Sequence, residues 1–263
     1  MNKINSLNEF VIKFANVNGS GSASANQMFA KGVFRMGIPV SPKNIFPSNI
    51  QGLPTWFEVR VTAKGYLGRR EGVDVFVVMN PQSYPEDIAE INEGGYLIYD
   101  STWKREFGRD DIHVIGIPLT QLCVKEFSNP KFRLLFKNIV YVGALSYLLD
   151  IGKKVYIELL SEKFKGKEKL IAPNVRALEI GYDYAKQNFK DFCKVKVKKL
   201  NKTKGMILTN GNDAAGLGCV YAGATVCAWY PITPSTSVAE SFTKYCHQLR
   251  IDKKSQKNKF EML

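Results

Sequence analysis

Apolar residues first gather in Phe10-Val11-Ile12-Lys13-Phe14-Ala15-Asn16-Val17, a run rich in β-formers that leads towards glycine and predicts a strand. Gly19-Ser20-Gly21-Ser22-Ala23-Ser24-Ala25-Asn26 follows as a loop of small residues. Ala25, Met28, Phe29, Val33 and Met36 then share one helical face, and Gly37-Ile38-Pro39-Val40 stops that helix and starts a short strand. The result is a strand–loop–helix–strand unit with its small residues at the corner where α/β folds hold phosphates. Further strands are predicted at 56–61, 73–79, 96–99 and 112–117. A helix begins near Tyr84-Pro85, where proline is tolerated in the first turn. A longer one runs from about Phe132 to Leu149 and ends at Asp150-Ile151-Gly152. Alternating strands and helices predict an α/β fold with a mostly parallel sheet.

The pattern changes at 194–204, where lysines crowd together and predict a basic linker, with room for a strand at Val195-Lys196-Val197. A second β-α-β start is expected beyond it: a strand at Met206-Ile207-Leu208, a turn at Asn210-Gly211-Asn212, a helix over 213–222 and a strand over 225–229. Tyr230-Pro231-Ile232-Thr233-Pro234-Ser235 comes next. Its two prolines push Tyr230 and Thr233 out of the helical region, so Thr233 sits on a short extended segment. Ser235-Thr236-Ser237 offers caps for a following helix. A rigid loop opening onto a helix N-terminus suits a small anion, although spacing alone favours an ordinary strand-to-helix turn.

Composition narrows the function classes. A chain of 263 residues with a 45% hydrophobic fraction builds one large or two ordinary domains. No run approaches the roughly 20 apolar residues of a membrane span. The polar start Met1-Asn2-Lys3 is unlike a signal peptide, which sets the expectation of a soluble cytoplasmic protein. Cys123, Cys193, Cys219, Cys227 and Cys246 form no C-x-x-C pair, so neither a zinc knuckle nor an iron–sulfur ligand run is encoded. His113 reads as a strand residue and His247 as part of a polar helix end, and no metal site is predicted. The net charge of +13 is compatible with nucleic acid, an anionic cofactor or an acidic partner. No nucleic-acid-binding motif accompanies the basic runs, so nucleic acid is not expected.

Particular motifs carry a family resemblance. Asn210-Gly211-Asn212-Asp213-Ala214-Ala215 followed by Tyr230-Pro231-Ile232-Thr233-Pro234-Ser235 resembles the start of the alpha, pyrimidine-binding part of 2-oxoacid:ferredoxin oxidoreductases. The glycine-serine loop, Gly52-Leu53-Pro54-Thr55-Trp56-Phe57-Glu58-Val59-Arg60, the strand ending Val78-Met79-Asn80, and Gly94-Gly95-Tyr96-Leu97-Ile98-Tyr99-Asp100-Ser101 resemble the gamma domain of the same family. The resemblance implies a Rossmann-like, three-layer gamma domain over 1–193. A basic linker over 194–204 and the first elements of a thiamine-diphosphate pyrimidine-binding domain over 205–263 would follow. A gamma domain ahead of an alpha part is most like subunits acting on 2-oxoglutarate. Family alpha parts continue past Leu263, which leaves a truncation, a split gene and an intact short subunit all open.

The resemblance also implies chemistry. Family members decarboxylate a 2-oxoacid with thiamine diphosphate and Mg2+, pass electrons through iron–sulfur clusters to ferredoxin, and transfer the acyl group to coenzyme A. The Gly-Asp-Gly motif that binds the cofactor's diphosphate is absent here, so a beta subunit is implied as partner in a hetero-oligomer. Thr233 is the expected contact to the substrate's carboxylate or carbonyl, with Ser235 beside it. Asn212, Tyr230 and Pro231 are expected near the cofactor, and Asp213 is expected to cap the helix that follows. Gly19, Gly21 and Ser22 either approach a phosphate of coenzyme A or only make a tight packing turn. Trp56 and Phe57 read as core or interface aromatics. A non-catalytic assembly subunit and a free-standing nucleotide-binding module remain as alternatives.

Overall fold

The computed structural model describes residues 3–17, 19–45, 54–232 and 235–263. They form two units, Met1–Gly205 and Met206–Leu263. Unit 1 is built round β2 (Glu9–Val17), which is buried along nearly its whole length after a short β1 (Ser6–Leu7). Its neighbours in a six-stranded sheet are β4 (Pro54–Thr62) and β5 (Val73–Val78). β3 (Val40–Ile45) lies outside β4, and β6 (Ile91–Asp100) and β7 (His113–Ile117) extend the other side, giving the order β3-β4-β2-β5-β6-β7. The β2, β5, β6 and β7 strands pair in parallel, while β4 is antiparallel to both β2 and β3. The sheet is therefore mostly parallel. The first strand–helix–strand unit differs from expectation in one respect: β3 pairs with β4, which is inserted between it and β2.

Alternation along β2 assigns the two layers that flank the sheet. Phe14 faces α1 (Ser22–Arg35) through Phe29, at 5.4 Å between ring centroids. It meets α4 (Pro130–Leu148) through Tyr141, at 5.9 Å. Val11 and Ala15 point to the other face, where Phe76, Leu97 and Tyr99 join Ile88 of the short α2 (Tyr84–Ala89). Lys13 shares that second face; buried there, it is bonded to Glu90 at 2.5 and 2.8 Å. The helical side is completed by α3 (Leu119–Glu126), α5 (Lys153–Lys163) and α6 (Ile171–Asn188).

The α4 and α6 helices cross at glycine. A Cβ at Gly143 would run into the backbone carbonyl of Leu178, and one at Gly181 would run into that of Val140. The two backbones therefore approach more closely than any side chain allows.

The stretch 194–204, read from its lysines as a linker, lies along unit 1. Its β8 strand (Val195–Lys196) pairs in parallel with β1. Cys193, Val195 and Val197 are buried, and Leu200 N and Lys202 N donate to the Met36 and Gly37 carbonyls at 2.8 and 2.9 Å. The lysines are exposed or half-exposed, and alternation of charged and apolar residues is what lets one segment do both.

Unit 2 departs further from the predicted pattern. Met206-Ile207-Leu208 is not a strand: Ile207 is 81% exposed, and no strand among the described residues pairs with the segment. The helix α7 (Gly211–Tyr221) forms as expected. The strand expected over 225–229 shortens to β9 (Val226–Cys227), whose parallel partner β10 (Glu261–Met262) is reached through α8 (Thr236–Leu249). The β-α-β unit thus lies one element later than predicted. Val220, Phe242, Cys246 and Phe260 make its small core.

Gly143→Ala and Gly181→Ala should each destabilise the protein by about 1–3 kcal/mol through overpacking, read from urea melts. Helix propensity alone would favour alanine by about 1 kcal/mol, so the sign of the change tests the close crossing.

Candidate functional site

The parallel strands of unit 1 deliver their C-terminal ends to one edge, where the order of connection reverses at β2. Ligands of open α/β sheets settle at such an edge. Gly19 and Gly21 both adopt positive φ, 83° and 76°, which glycine enters without the cost borne by other residues. A side chain at Gly21 would also strike Leu135 of α4. No side chain caps α1, and its first turn contains no acidic residue. Its leading N–H groups and the positive end of the helix dipole are thus available to an anion.

Two cavities flank this corner. One, of about 330 Å3, is bordered by Gly19, Gly21, Ser22, Ala23, Asn44 and Trp56, among others. The other, of about 310 Å3, is bordered by Asn16, Gly19, Ser20, Met79, Lys137 and Asn138, among others. Asn80 follows Met79 and is 1% exposed; its Oδ1 accepts from Gln82 N at 3.1 Å, whereas its Nδ2 has no acceptor among the described residues. A buried unpaired donor costs about 1–3 kcal/mol.

A buried polar chain holds the corner in place. Tyr141 donates to Asn26 Oδ1 at 2.6 Å, and Asn26 Nδ2 donates to Asn16 Oδ1 at 3.0 Å. Asn138 Nδ2 donates to the Ser20 carbonyl at 2.9 Å. The Tyr141 phenol is pushed far above the ordinary tyrosine range by burial, so it is a neutral donor at any working pH. Nearby, Asp100 closes the end of β6 by accepting from Thr120 N, Thr120 Oγ1 and Thr102 Oγ1, with Lys137 at 3.7 Å. Trp56 is fixed by its indole N–H, which donates to Asp87 at 2.7 Å. Burial raises the Asp87 pKa against the hydrogen bonds from Ser83 and Trp56 that hold it down. Phe57 is buried on the opposite face of β4, 6.3 Å from Phe14 between ring centroids.

Sequence reading missed Asn26, Asn138 and Tyr141. They lie within helices whose apolar spacing drew attention first, and the only signal was a polar group on an otherwise buried face.

The site residues read from the second motif lie in unit 2. Asn212 Nδ2 donates to Ser237 Oγ at 2.6 Å. Asp213 does not cap α7; Asn210 does, accepting from Asp213 N at 2.9 Å, while the Asp213 carboxylate accepts from the Ser241 hydroxyl. The extended backbone of Asn210 is what an N-cap requires. Ser235 precedes α8 with helical dihedrals, and its hydroxyl donates to the Ile232 carbonyl at 2.8 Å instead of capping the helix. Tyr230 is 82% exposed and Pro231 is exposed too. Thr233 lies outside the described residues, together with Pro234. Among the described residues, no group of three or more His, Cys, Asp or Glu is placed to hold a metal ion. No helix among them is long and apolar enough to cross a membrane.

The family model for pyruvate ferredoxin/flavodoxin oxidoreductase matches residues 11–184, which contain the glycine corner and all of the six-stranded sheet but the first two residues of β2. The chain belongs to this family. The alpha subunit of 2-oxoacid:ferredoxin oxidoreductase 2 from Aeropyrum pernix is 24% identical over 268 residues, covering 87% of this chain and 42% of that protein. The solved 2-oxoglutarate:ferredoxin oxidoreductase from Magnetococcus marinus, with 2-oxoglutarate, coenzyme A and succinyl-CoA bound, aligns with a TM-score of 0.79 at 26% identity. That alignment covers 97% of this chain and 43% of the other. Pyruvate oxidoreductase subunit PORC from Thermotoga maritima shares the fold at 22% identity and a TM-score of 0.55, over 67% of this chain and 96% of its own. The chain therefore spans less than half the length of the first two oxidoreductase chains.

Removing the Tyr141 hydroxyl with Tyr141→Phe should cost about 1–2 kcal/mol, because the Asn26 acceptor is left buried without its donor. Urea denaturation gives the number. Hydrogen exchange at Ser20–Ser24 should accelerate in the same variant, and an unchanged rate would mean that the polar chain does not hold the loop.

Proposed function

We propose that this chain is a component of a 2-oxoacid:ferredoxin oxidoreductase, whose reaction converts a 2-oxoacid and coenzyme A to acyl-CoA and carbon dioxide with electrons passed to ferredoxin. The oxoacid favoured by the resemblance is 2-oxoglutarate. The observation that carries the reading is the glycine corner: a cavity of about 330 Å3 at the C-terminal edge of the sheet, within the segment matched by the family model. Gly19 and Gly21 let the backbone come close to a ligand, and the uncapped N-terminus of α1 offers it positive potential. A phosphate of coenzyme A fits that environment, with Ser22 as a further donor. The coenzyme supplies the thiol that receives the acyl group. The residues named here bind and orient one end of it.

The described residues do not fit an iron–sulfur cluster or the Mg2+ of thiamine diphosphate. Cys123, Cys193 and Cys246 are buried and dispersed, and burial pushes the Cys123 and Cys193 thiols up to about 12 and about 11. Those groups are assigned to partner chains, above all a beta subunit, and no step is derived through them. Thr233 is proposed as the substrate contact and Ser235 as its weaker neighbour. Asn212, Tyr230 and Pro231 are proposed to lie beside the cofactor that the partner brings. Exposed Ile207, Tyr221 and Tyr230 in unit 2 support a partner surface there.

Ala23 separates the coenzyme reading from a mere packing turn. It is exposed, borders the corner cavity and lies in the first turn of α1, where an added carboxylate should stabilise the helix by about 0.3–1 kcal/mol. In the complex assembled with the partner chain, Ala23→Asp should keep or raise the melting temperature yet raise KM for coenzyme A about tenfold, with Ala23→Asn much milder. An unchanged KM leaves the corner as a turn.

Thr233→Val keeps the branched shape and removes the hydroxyl. Loss of one hydrogen bond to a charged group should cost roughly 1.5–3 kcal/mol, about ten- to a hundred-fold in kcat/KM for the oxoacid. The coenzyme A response should change much less. Steady-state kinetics on the assembled complex decide it, and an unaltered oxoacid efficiency would make Thr233 a turn residue.

A further inference from the structure

Unit 1 holds a third and larger cavity, of about 510 Å3, walled by α1, α4, α6 and the ends of α3 and α5. Its volume lies in the range of small-molecule sites. Phe127, Phe132, Leu135, Phe136, Ile139 and Phe164 make most of the wall apolar. The polar side chains on its rim are largely engaged within the fold. Asn129 accepts from Lys131 N at 3.0 Å, Asn174 Nδ2 donates to the Leu170 carbonyl at 2.7 Å, and Glu126 is bonded to Arg176 at 2.7 and 3.0 Å.

Two ammonium groups remain, Lys163 and Lys169, and among the described residues no carboxylate pairs with either. Glu162, next to Lys163 in sequence, is taken by Arg35. Lys163 instead donates to the Ser24 hydroxyl. A smaller cavity of about 320 Å3 shares Ser24 and Lys163 with this larger one and adds Lys31 and Gln27 to its lining. Lys163 is held below the ordinary lysine value, by burial first and by the charge of Lys31 second. Positive charge without a counter-charge thus stands at the mouth of an apolar cavity.

Three ligand classes can be compared on that chemistry. A nucleotide needs donors and acceptors for its base and sugar, and the rim groups able to provide them are engaged. A neutral apolar molecule would take Lys163 out of water without compensating it, at a cost. An inorganic anion would leave the phenylalanine walls unmatched. We propose that this cavity binds a small apolar acid, its carboxylate at Lys163 and its aromatic or aliphatic body among the phenylalanines. The site borders Gly21 but is otherwise made of different residues from the glycine corner, so the proposal does not depend on the coenzyme A reading.

Isothermal titration of the full chain with 4-phenylbutyrate and decanoate, against the neutral 4-phenylbutan-1-ol, tests it. At least one of the two acids should bind, and phenylbutyrate should exceed the alcohol about tenfold through its charge-assisted contact. Lys163→Gln, at an exposed position on α5, should erase the preference for acid while leaving the melting temperature in place. Leu135→Trp, on the exposed rim, should weaken every ligand at least fivefold by filling the cavity. Saturating coenzyme A should leave binding unchanged. The proposal is overturned if no acid binds, if acid and alcohol bind alike, if Lys163→Gln has no effect, or if coenzyme A displaces the acid.

Discussion

Tyr141, Asn26 and Asn16 form a hydrogen-bonded line through the interior, and unit 1 is arranged about it. Asn16 lies just before the glycine corner, Asn26 just after it, and Tyr141 on the helix packed over both. A fourth group, Asn138, takes hold of the corner itself through the Ser20 carbonyl. The loop is thereby fixed at its entry, middle and exit by side chains shielded from water, where a lost partner is expensive. Glycine gives this backbone its unusual dihedrals, and the asparagines keep it from using that freedom.

The central sheet was readable from the sequence because its strands are nearly uninterrupted apolar runs of β-forming residues. Phe10 to Asn16 and Val73 to Val78 are buried on both faces, and periodicity and propensity agree there. The insertion of β4 was not readable, since hydrophobic pattern identifies strands without identifying their neighbours. α5 and α6 escaped notice as well; their charged outer faces dilute the apolar stripe, and the contact that matters on α6 is made by Gly181, a residue chosen for having no side chain.

The glycine corner was visible as composition, but its support was not. Polar groups satisfied by residues 10 to about 120 positions away leave no local signature. In unit 2 the error ran the other way. Asp213 and Ser235 are reasonable caps by residue type, yet Asn210 and the Ile232 carbonyl compete for the same hydrogen bonds and win on geometry. Met206-Ile207-Leu208 shows the limit of strand propensity: without a partner strand, branched side chains do not make a sheet.

One pairing gives unit 1 a modular character. The β1 and β8 strands run side by side, Ser6 opposite Val195 and Leu7 opposite Lys196, so the first and the last strand of the unit lie within one strand spacing, about 5 Å. A body whose first and last strands are paired to each other is closed on itself, and can be joined to another sequence with little disturbance to its interior. Gene fusion and fission then act as rearrangements of a handle, and the sheet, the corner and the cavities pass through them unaltered.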